Sequence, residues 1–220
     1  MKVLVIAPHA DDEIIGVGGT IIKHIKNGDR VYVCIVTKGA KPLFSEETVN
    51  TIRCETIECH TKIGIEKTYY LEFPSVMLES VNRYELNNRI SDVIREICPN
   101  EVYIPHIGDM QKDHQMVTEA AMVGLRPKYK HRIERIYAYE TLSETGWNIP
   151  NVQNEFIPNV YVDISNEMQE KLKAMECYAS QLGTFPEARS LEAIEALAKF
   201  RGATANINRA EAFSLIREIK

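Results

Sequence analysis

The sequence predicts an α/β fold, a three-layer sandwich in which helices cover both faces of a mostly parallel, Rossmann-like sheet. Short apolar runs rich in β-branched and aromatic residues alternate with segments of helical spacing. Repeated strand and helix pairs with nearly continuous apolar strands are typical of parallel strands joined by crossover helices. In such a sheet, functional side chains collect at the carboxyl ends of the strands.

The first half of the chain carries four strand and helix repeats. Strands are predicted at residues 2–7, 30–37, 67–73 and 101–106. Helices are expected over 16–28, 45–64 and 79–100, with N-caps near Ser45 and Ser80 and glycine stops at Gly28 and Gly64. The glycines of Gly-Val-Gly-Gly-Thr at 16–20 favour close packing of a helix on the sheet, since they lack the spacing of a dinucleotide-binding loop.

The second half continues this pattern less regularly. A helix near 114–125 is followed by strands at 134–142 and 159–164 and by helices near 166–181 and 188–202. Residues 141–158 are expected to form a long irregular loop near the site. With no repeat or interdomain linker in the sequence, one domain spanning 1–220 is predicted.

Composition and charge narrow the functional classes. The 220 residues are 45% hydrophobic with a formal net charge of -5, which argues against a nucleic-acid partner. No apolar run reaches the roughly 20 residues of a membrane span, and the first residues do not resemble a signal peptide, so a cytoplasmic protein is expected. The five cysteines are predicted to be reduced and mostly buried.

The stretch Pro-His-Ala-Asp-Asp-Glu at 8–13 follows directly on the first predicted strand. Burying ionised carboxylates costs several kcal/mol each unless they are compensated. Such a cluster therefore indicates a partner for the charge, either a cation or a solvent-filled cleft.

A histidine from a later segment suggests which partner this is. Imidazole and carboxylate groups recur in catalytic metal sites that keep one position open for substrate. His9, a carboxylate of the same loop and His114 from the end of the fourth strand form such a set. The residue types alone do not decide between Asp12 and Glu13 as the third ligand. Asp11 is then left beside the metal as a proton acceptor.

Several blocks of the sequence resemble the PIG-L or LmbE-like deacetylases. Residues 8–20, Pro-His-Ala-Asp-Asp-Glu-Ile-Ile-Gly-Val-Gly-Gly-Thr, are similar to the first motif of that family, and residues 106–114 are similar to its second, which ends in Asp-His. Further blocks at 139–147, 156–164, 178–181 and 201–213 follow in the same order, so the resemblance covers nearly the whole chain.

The resemblance implies a zinc-dependent enzyme that removes acetyl from small-molecule N-acetylglucosamine-type sugars or glycosides. It implies metal ligands at His9, Asp12 and His114 and a general base at Asp11. Zn²⁺ is expected, with Fe²⁺, Mn²⁺ or Co²⁺ as alternatives. Residues expected to orient this set are Glu13, acting on the loop, and Asp109 and Asp113, holding His114 in one tautomer.

Two positions depart from the family pattern. Ala10 stands where relatives have Pro, which removes no chemical group. Gln111 stands where relatives commonly have a histidine of a His-x-Asp-His motif. An amide donates a hydrogen bond to a developing oxyanion but releases no proton, so protonation of the leaving amine is expected from Asp11 or His106.

Substrate contacts are expected from Arg53, Lys112 and Trp147, although a solvated or structural role is as common for Arg53 and a core role for Trp147. His24, His60 and His131 are expected to be solvated or hydrogen-bonded. Apolar stripes on the C-terminal helices favour a homo-oligomer of undefined size. Two other functions stay open, a non-hydrolytic sugar- or nucleotide-binding protein and a phosphoester hydrolase, the second disfavoured by the small number of basic residues near the site.

Overall fold

The computed structural model describes residues 1–128 and 133–220 of the chain, so that His131 lies outside the described residues. Within them, seven strands form one sheet in the order β3-β2-β1-β4-β5-β7-β6. The strands are β1 (Lys2–Ala7), β2 (Arg30–Lys38), β3 (Lys67–Pro74), β4 (Glu101–Pro105), β5 (Arg135–Tyr139), β6 (Val160–Asp163) and β7 (Ala210–Glu218). The helices are α1 (Asp12–Lys26), α2 (Glu46–Ile63), α3 (Arg83–Ile97), α4 (Lys112–Gly124), α5 (Met168–Met175) and α6 (Leu191–Ala205).

The pairing of the strands confirms the predicted mostly parallel sheet. Strand β1 is parallel to β2 and β4, and the pairs β2–β3 and β4–β5 are parallel as well. Only β7 runs against its neighbours, β5 and β6. The carboxyl ends of β1 and β4 therefore lie side by side at one edge of the sheet.

Alternation along the buried strands places helices on both faces, as predicted. Leu4 and Ile6 of β1 pack into a core with α3 and α4, whereas Val3 and Val5 pack with α1 on the opposite face. All four side chains are fully buried. This two-sided burial explains why the strand is continuously apolar rather than alternating with polar residues.

Strand β7 was not predicted, because Glu211 interrupts its apolar pattern. The Glu211 carboxylate is buried, and it accepts hydrogen bonds from Lys171 Nζ at 2.6 Å and from the backbone N–H groups of Gly19 and Thr20 at 2.8 and 2.7 Å. Glu211 is thus a buried polar residue whose hydrogen bonds are satisfied, and it links β7 to α1 and α5.

Some predicted element boundaries hold and others are wrong. Ser45 caps α2 by accepting the N–H of Thr48 at 3.1 Å, and Gly64 ends that helix at a φ of 89°. Ser80 is not a cap, since it lies in a short 3₁₀ turn and Asn82 caps α3 instead. Helix α1 begins at Asp12, four residues before the predicted start, because its first turn contains the buried Asp12 and Glu13.

The cysteines are all free, and three of the five are buried, as expected from the sequence. Throughout 1–128 and 133–220, no helix combines the length and the apolarity that crossing a bilayer demands.

Helix α1 approaches the end of β5 closely at Gly16. A Cβ on Gly16 would lie 2.4 Å from Tyr139 Cδ2 and 2.8 Å from the backbone oxygen of Glu140. On Gly18, in the same helix, a Cβ would meet only the side chains of Ile14 and Lys171, at 3.1 and 3.2 Å. The glycines of this helix therefore serve packing, as predicted.

Gly16→Ala is expected to lower the free energy of unfolding by up to about 2 kcal/mol, because an overpacking cost of about 1–3 kcal/mol outweighs the gain of about 1 kcal/mol in helix propensity. Gly18→Ala is the matched control and should cost much less. Urea denaturation of both variants measures the difference. Equal stability of the two would show that the close approach at Gly16 has no energetic weight.

Candidate functional site

The predicted ligands meet at the carboxyl edge of the sheet. His9 lies in the turn between β1 and α1, Asp12 is the first residue of α1, and His114 lies in the first turn of α4. The expected position of His114 at the end of the fourth strand is thus wrong, because His114 lies beyond the loop that follows β4. Because β1 and β4 are neighbours, the two segments still face each other.

These three side chains converge on one point. One potential ligand atom from each of His9, Asp12 and His114 lies within 4.8 Å of the others. Asp12 Oδ2 is 3.1 Å from His9 Nδ1 and 3.3 Å from His114 Nε2. Asp12 and His114 are almost completely buried, and Asp12 Oδ1 has no hydrogen-bond partner within residues 1–128 and 133–220. Two imidazoles and a buried carboxylate fit a divalent transition metal such as Zn²⁺.

A carboxylate stands behind each histidine. Asp109 Oδ2 lies 2.9 Å from His114 Nδ1 and Asp113 Oδ2 lies 3.1 Å from His9 Nε2. Asp109 also accepts a hydrogen bond from Thr145, and Asp113 accepts one from the backbone of Val76. The expectation that both aspartates hold His114 is wrong for Asp113, because its position in the first turn of α4 directs it toward the β1 loop.

The carboxylates set the protonation of this cluster. Burial lowers the pKa of His114, but the charges and hydrogen bonds of Asp12 and Asp109 outweigh it and raise that pKa to about 10. The pKa of His9 is raised to about 8 in the same way by Asp113 and Asp12. Burial alone would raise the pKa of Asp12, yet His114 and His9 hold it well below the usual value. The site thus has a strong preference for positive charge.

Asp11 lies in a strained and unsatisfied position. Its φ is 105°, which is rare for a residue other than glycine, and its side chain is almost fully buried. Neither carboxylate oxygen has a hydrogen-bond partner among the described residues, and Arg189 Nε is 3.7 Å from Oδ2. Burial, and then the charge of Asp12, raise the pKa of Asp11 to about 8. A carboxylate in this environment gains from accepting a proton.

Glu13 holds the turn that contains Asp11. Its Oε2 accepts the backbone N–H of Asp11 at 3.1 Å, and its Oε1 accepts the hydroxyl of Tyr178 at 2.6 Å. His60 Nε2 lies 3.1 Å from the same Oε1, and His60 Nδ1 lies 2.7 Å from the hydroxyl of Thr68. The buried Glu13 carboxylate is therefore fully engaged within the structure, which separates it from the neighbouring Asp11.

A cavity of about 190 Å³ opens beside Asp11. Residues that line it include His9, Asp11, Thr37, Arg53, Gln111 and Arg189. Gln111 precedes α4 at its N-cap position, and its buried Oε1 has no partner in the part of the chain that the structure describes. The guanidinium of Arg53 stacks 3.5 Å above the ring of Tyr70 and pairs with Glu72. The cavity thus extends from Asp11 to a wall that is polar and aromatic.

Three predicted residues do not reach this cavity. His106 Nε2 lies 3.1 Å from the backbone oxygen of Asn154, and its ring packs 5.2 Å from that of Phe156. The exposed Lys112 donates to Gln115 Oε1 at 2.6 Å, and Trp147 is 78% exposed to solvent. The loop that follows β5 covers His106, whereas Lys112 and Trp147 point outward.

Sequence reasoning missed three residues near the site, Tyr178, Gln181 and Arg189. Tyr178 donates to Glu13 and Gln181 lines the cavity, and both lie in the Tyr-Ala-Ser-Gln block, whose resemblance to relatives carried no assigned role. His60 is hydrogen-bonded, as expected. Arg189 belongs to no recognisable motif. No sequence pattern marks Arg189 as a site residue, because it approaches Asp11 only once the segment before α6 folds over the site.

Comparison with known proteins gives one family and several relatives. The sequence profile of the PIG-L family, described as GlcNAc-PI de-N-acetylase, matches residues 4–124. The probable N-acetyl-alpha-D-glucosaminyl L-malate deacetylase 2 of Bacillus anthracis is 28% identical over 193 residues, which cover 83% of this chain and 82% of the relative.

Two solved structures superpose on the fold. The N,N'-diacetylchitobiose deacetylase of Pyrococcus horikoshii has a TM-score of 0.78 at 25% identity, covering 98% of this chain and 83% of that one. GalB, the 4-carboxy-2-hydroxymuconate hydratase of Pseudomonas putida KT2440, also has a TM-score of 0.78, at 20% identity, covering 100% and 97% of the two chains. The likeness to GalB extends to the fold alone.

Asp109→Asn is expected to weaken Zn²⁺ binding by about 10–100-fold, because the ring orientation and basicity of His114 depend on this carboxylate. The measurement is competition with a chromophoric chelator. Asp92→Asn, on the exposed face of α3, is the matched control and should bind as the wild type does. Equal affinity of the two variants would contradict the role of Asp109 in holding His114 as a ligand.

Proposed function

The chain belongs to the PIG-L family, and from this premise we propose that it is a metal-dependent hydrolase that removes the acetyl group from an N-acetylglucosamine-type amino sugar. The observation that carries the proposal is the convergence of His9, Asp12 and His114 within 4.8 Å, with Asp11 unpaired beside them. The names of the Bacillus anthracis and Pyrococcus horikoshii relatives support a small N-acetylated sugar as substrate.

In this proposal His9, Asp12 and His114 hold the ion, and Asp109 and Asp113 fix the two imidazoles. Zn²⁺ suits the donor set, and Fe²⁺, Mn²⁺ and Co²⁺ accept the same ligands. When bound, such an ion supplies Lewis acidity toward the acyl oxygen and lowers the pKa of a coordinated water to about 7. The unpartnered Oδ1 of Asp12 is the feature of the site that such an ion explains.

Asp11 moves the proton. Asp11 lines the cavity, and neither of its buried oxygens has a partner among the described residues, so that the carboxylate is available to a water in the cavity. Asp11 takes a proton from the attacking water and returns it to the nitrogen of the departing amine, giving acetate and the free amino sugar. Gln111 lines the same cavity but has no proton to release, and His106 is turned away. Both transfers therefore pass through Asp11.

Arg53 is proposed to orient the sugar. Its guanidinium stacks on Tyr70, and its charge is neutralised by Glu72. Arg53 therefore offers hydrogen-bond donors to the cavity while adding little net positive charge there. Gln111 contributes a hydrogen-bonding amide at the N-terminus of α4. Lys112 and Trp147 are left out of this role because their side chains point to solvent.

A second candidate is a non-hydrolytic sugar- or nucleotide-binding protein of the same fold. The substitution of Gln111 for the histidine of relatives favours it, and the hydratase GalB demonstrates that the fold alone does not fix the reaction. Phosphoester hydrolysis is less consistent with the cavity, because Lys38 and Arg53 are both paired with Glu72. Acetate release from a panel of N-acetylated sugars, in the presence of Zn²⁺, separates the hydrolase from the binding protein.

Asp11→Asn is expected to lower kcat for acetate release by about 10²–10⁴-fold while Zn²⁺ occupancy stays at the wild-type level. Asparagine tolerates a positive φ, so this variant removes the proton acceptor without adding backbone strain. Metal content by elemental analysis and acetate release measure the two quantities. Turnover near that of the wild type at full metal occupancy would rule out Asp11 as the base.

A further inference from the structure

Arg189 reaches the site from a segment outside the sequence blocks that resemble the PIG-L family. It lies in the connection between α5 and α6, one residue before Ser190, which caps α6 by accepting the N–H of Ala193 at 3.2 Å. The Arg189 carbonyl accepts the N–H of Gly183 at 3.4 Å, and Ser190 donates to the Glu187 carbonyl at 3.0 Å. The backbone is thus fixed on both sides of the residue, and its half-buried side chain enters the cavity.

The guanidinium of Arg189 has an unused donor. Its Nε is buried and has no hydrogen-bond partner among the described residues. Asp11 Oδ2 is 3.7 Å away, close enough for charge attraction but too far for a hydrogen bond. A buried N–H without an acceptor carries an uncompensated desolvation cost, so a ligand atom that accepts it is favoured.

The other cations in the cavity wall are already occupied. Lys38 Nζ lies 2.6 Å from Glu72 Oε2, and Arg53 pairs with the other oxygen of the same carboxylate. Within the described lining of the cavity, Arg189 is therefore the cationic side chain that combines a buried free N–H with contact to Asp11. Amide hydrolysis builds negative charge on the acyl oxygen, and a buried donor in the wall of the same cavity can stabilise that charge.

We propose that Arg189 is a further catalytic residue, which donates its Nε–H to the acyl oxygen of the bound N-acetyl group as charge develops there. This inference rests on the proposed deacetylation. If Arg189 only positioned Asp11, its effect would be the same whichever atom the substrate carries at the acyl position. Donation to the acyl oxygen instead makes the effect depend on that atom. Arginine keeps its proton throughout, so the proton transfers remain with Asp11.

The test compares an N-acetyl sugar with its N-thioacetyl analogue, in which sulfur replaces the acyl oxygen and accepts hydrogen bonds poorly. Arg189→Gln is expected to lower kcat by about 10²–10³-fold on the N-acetyl substrate, the loss typical of a removed oxyanion donor. On the thioacetyl substrate the same variant should lose less than about 10-fold relative to the wild type on that substrate. KM for the N-acetyl substrate should change by less than about threefold.

Arg30→Gln is the matched control, since Arg30 is an exposed arginine at the opposite end of the sheet, paired with Glu66. It should retain wild-type kcat on both substrates. Arg189→Lys is the second variant, and circular dichroism and thermal melting establish that each variant is folded. If Arg189→Gln does not fold, the comparison is decided by Arg189→Lys, whose loss should also be larger on the N-acetyl substrate.

Equal fold losses on the two substrates would overturn the assignment, because they would show that Arg189 acts only through Asp11 or through the fold. Unchanged kcat in both Arg189 variants would overturn it as well. No release of acetate by the wild-type protein from any N-acetyl sugar would instead overturn the proposed function, and this assignment with it.

Discussion

The structure depends on how it compensates the carboxylates buried at one edge of its sheet. Asp109, Asp113 and Glu13 are buried and accept hydrogen bonds from protein donors. Asp11 is equally buried, and among the described residues neither of its oxygens has a hydrogen-bond partner, whereas Asp12 has one unpaired oxygen. Because an uncompensated carboxylate costs several kcal/mol in the interior, this division separates structural carboxylates from those available for a cation and for a proton.

The fold supplies the support that these unpaired groups require. Parallel pairing of β1 with β4 brings the turn before α1 against the N-terminus of α4, so residues about a hundred positions apart share one site. The positive φ of Asp11 costs about 1–3 kcal/mol, and such strain persists only where the surroundings fix it. Glu13 provides this by binding the Asp11 N–H while Tyr178 and His60 hold its other oxygen.

The sequence was most informative where local pattern and chemistry coincide. Strands β1, β2 and β4 are nearly continuous apolar runs, and the motif that contains His9 and Asp12 follows the first directly, so the edge of the sheet and the candidate ligands were predictable. Strand β7 was not, since its buried Glu211 is indistinguishable from a surface residue until Lys171 is seen beside it. The direction of His106 and the approach of Arg189 to Asp11 depend on long loops, whose course no local pattern determines. The roles assigned to the site residues stay predictions.

The central claim is that one divalent cation is held jointly by the first turn of the chain and by α4. Anomalous X-ray diffraction at the zinc absorption edge, on crystals of the Zn²⁺-loaded protein, tests it most directly. The account predicts an anomalous peak bounded by His9, Asp12 and His114. A fully loaded protein with its peak elsewhere, and with the His114 imidazole turned away from Asp12, would contradict it.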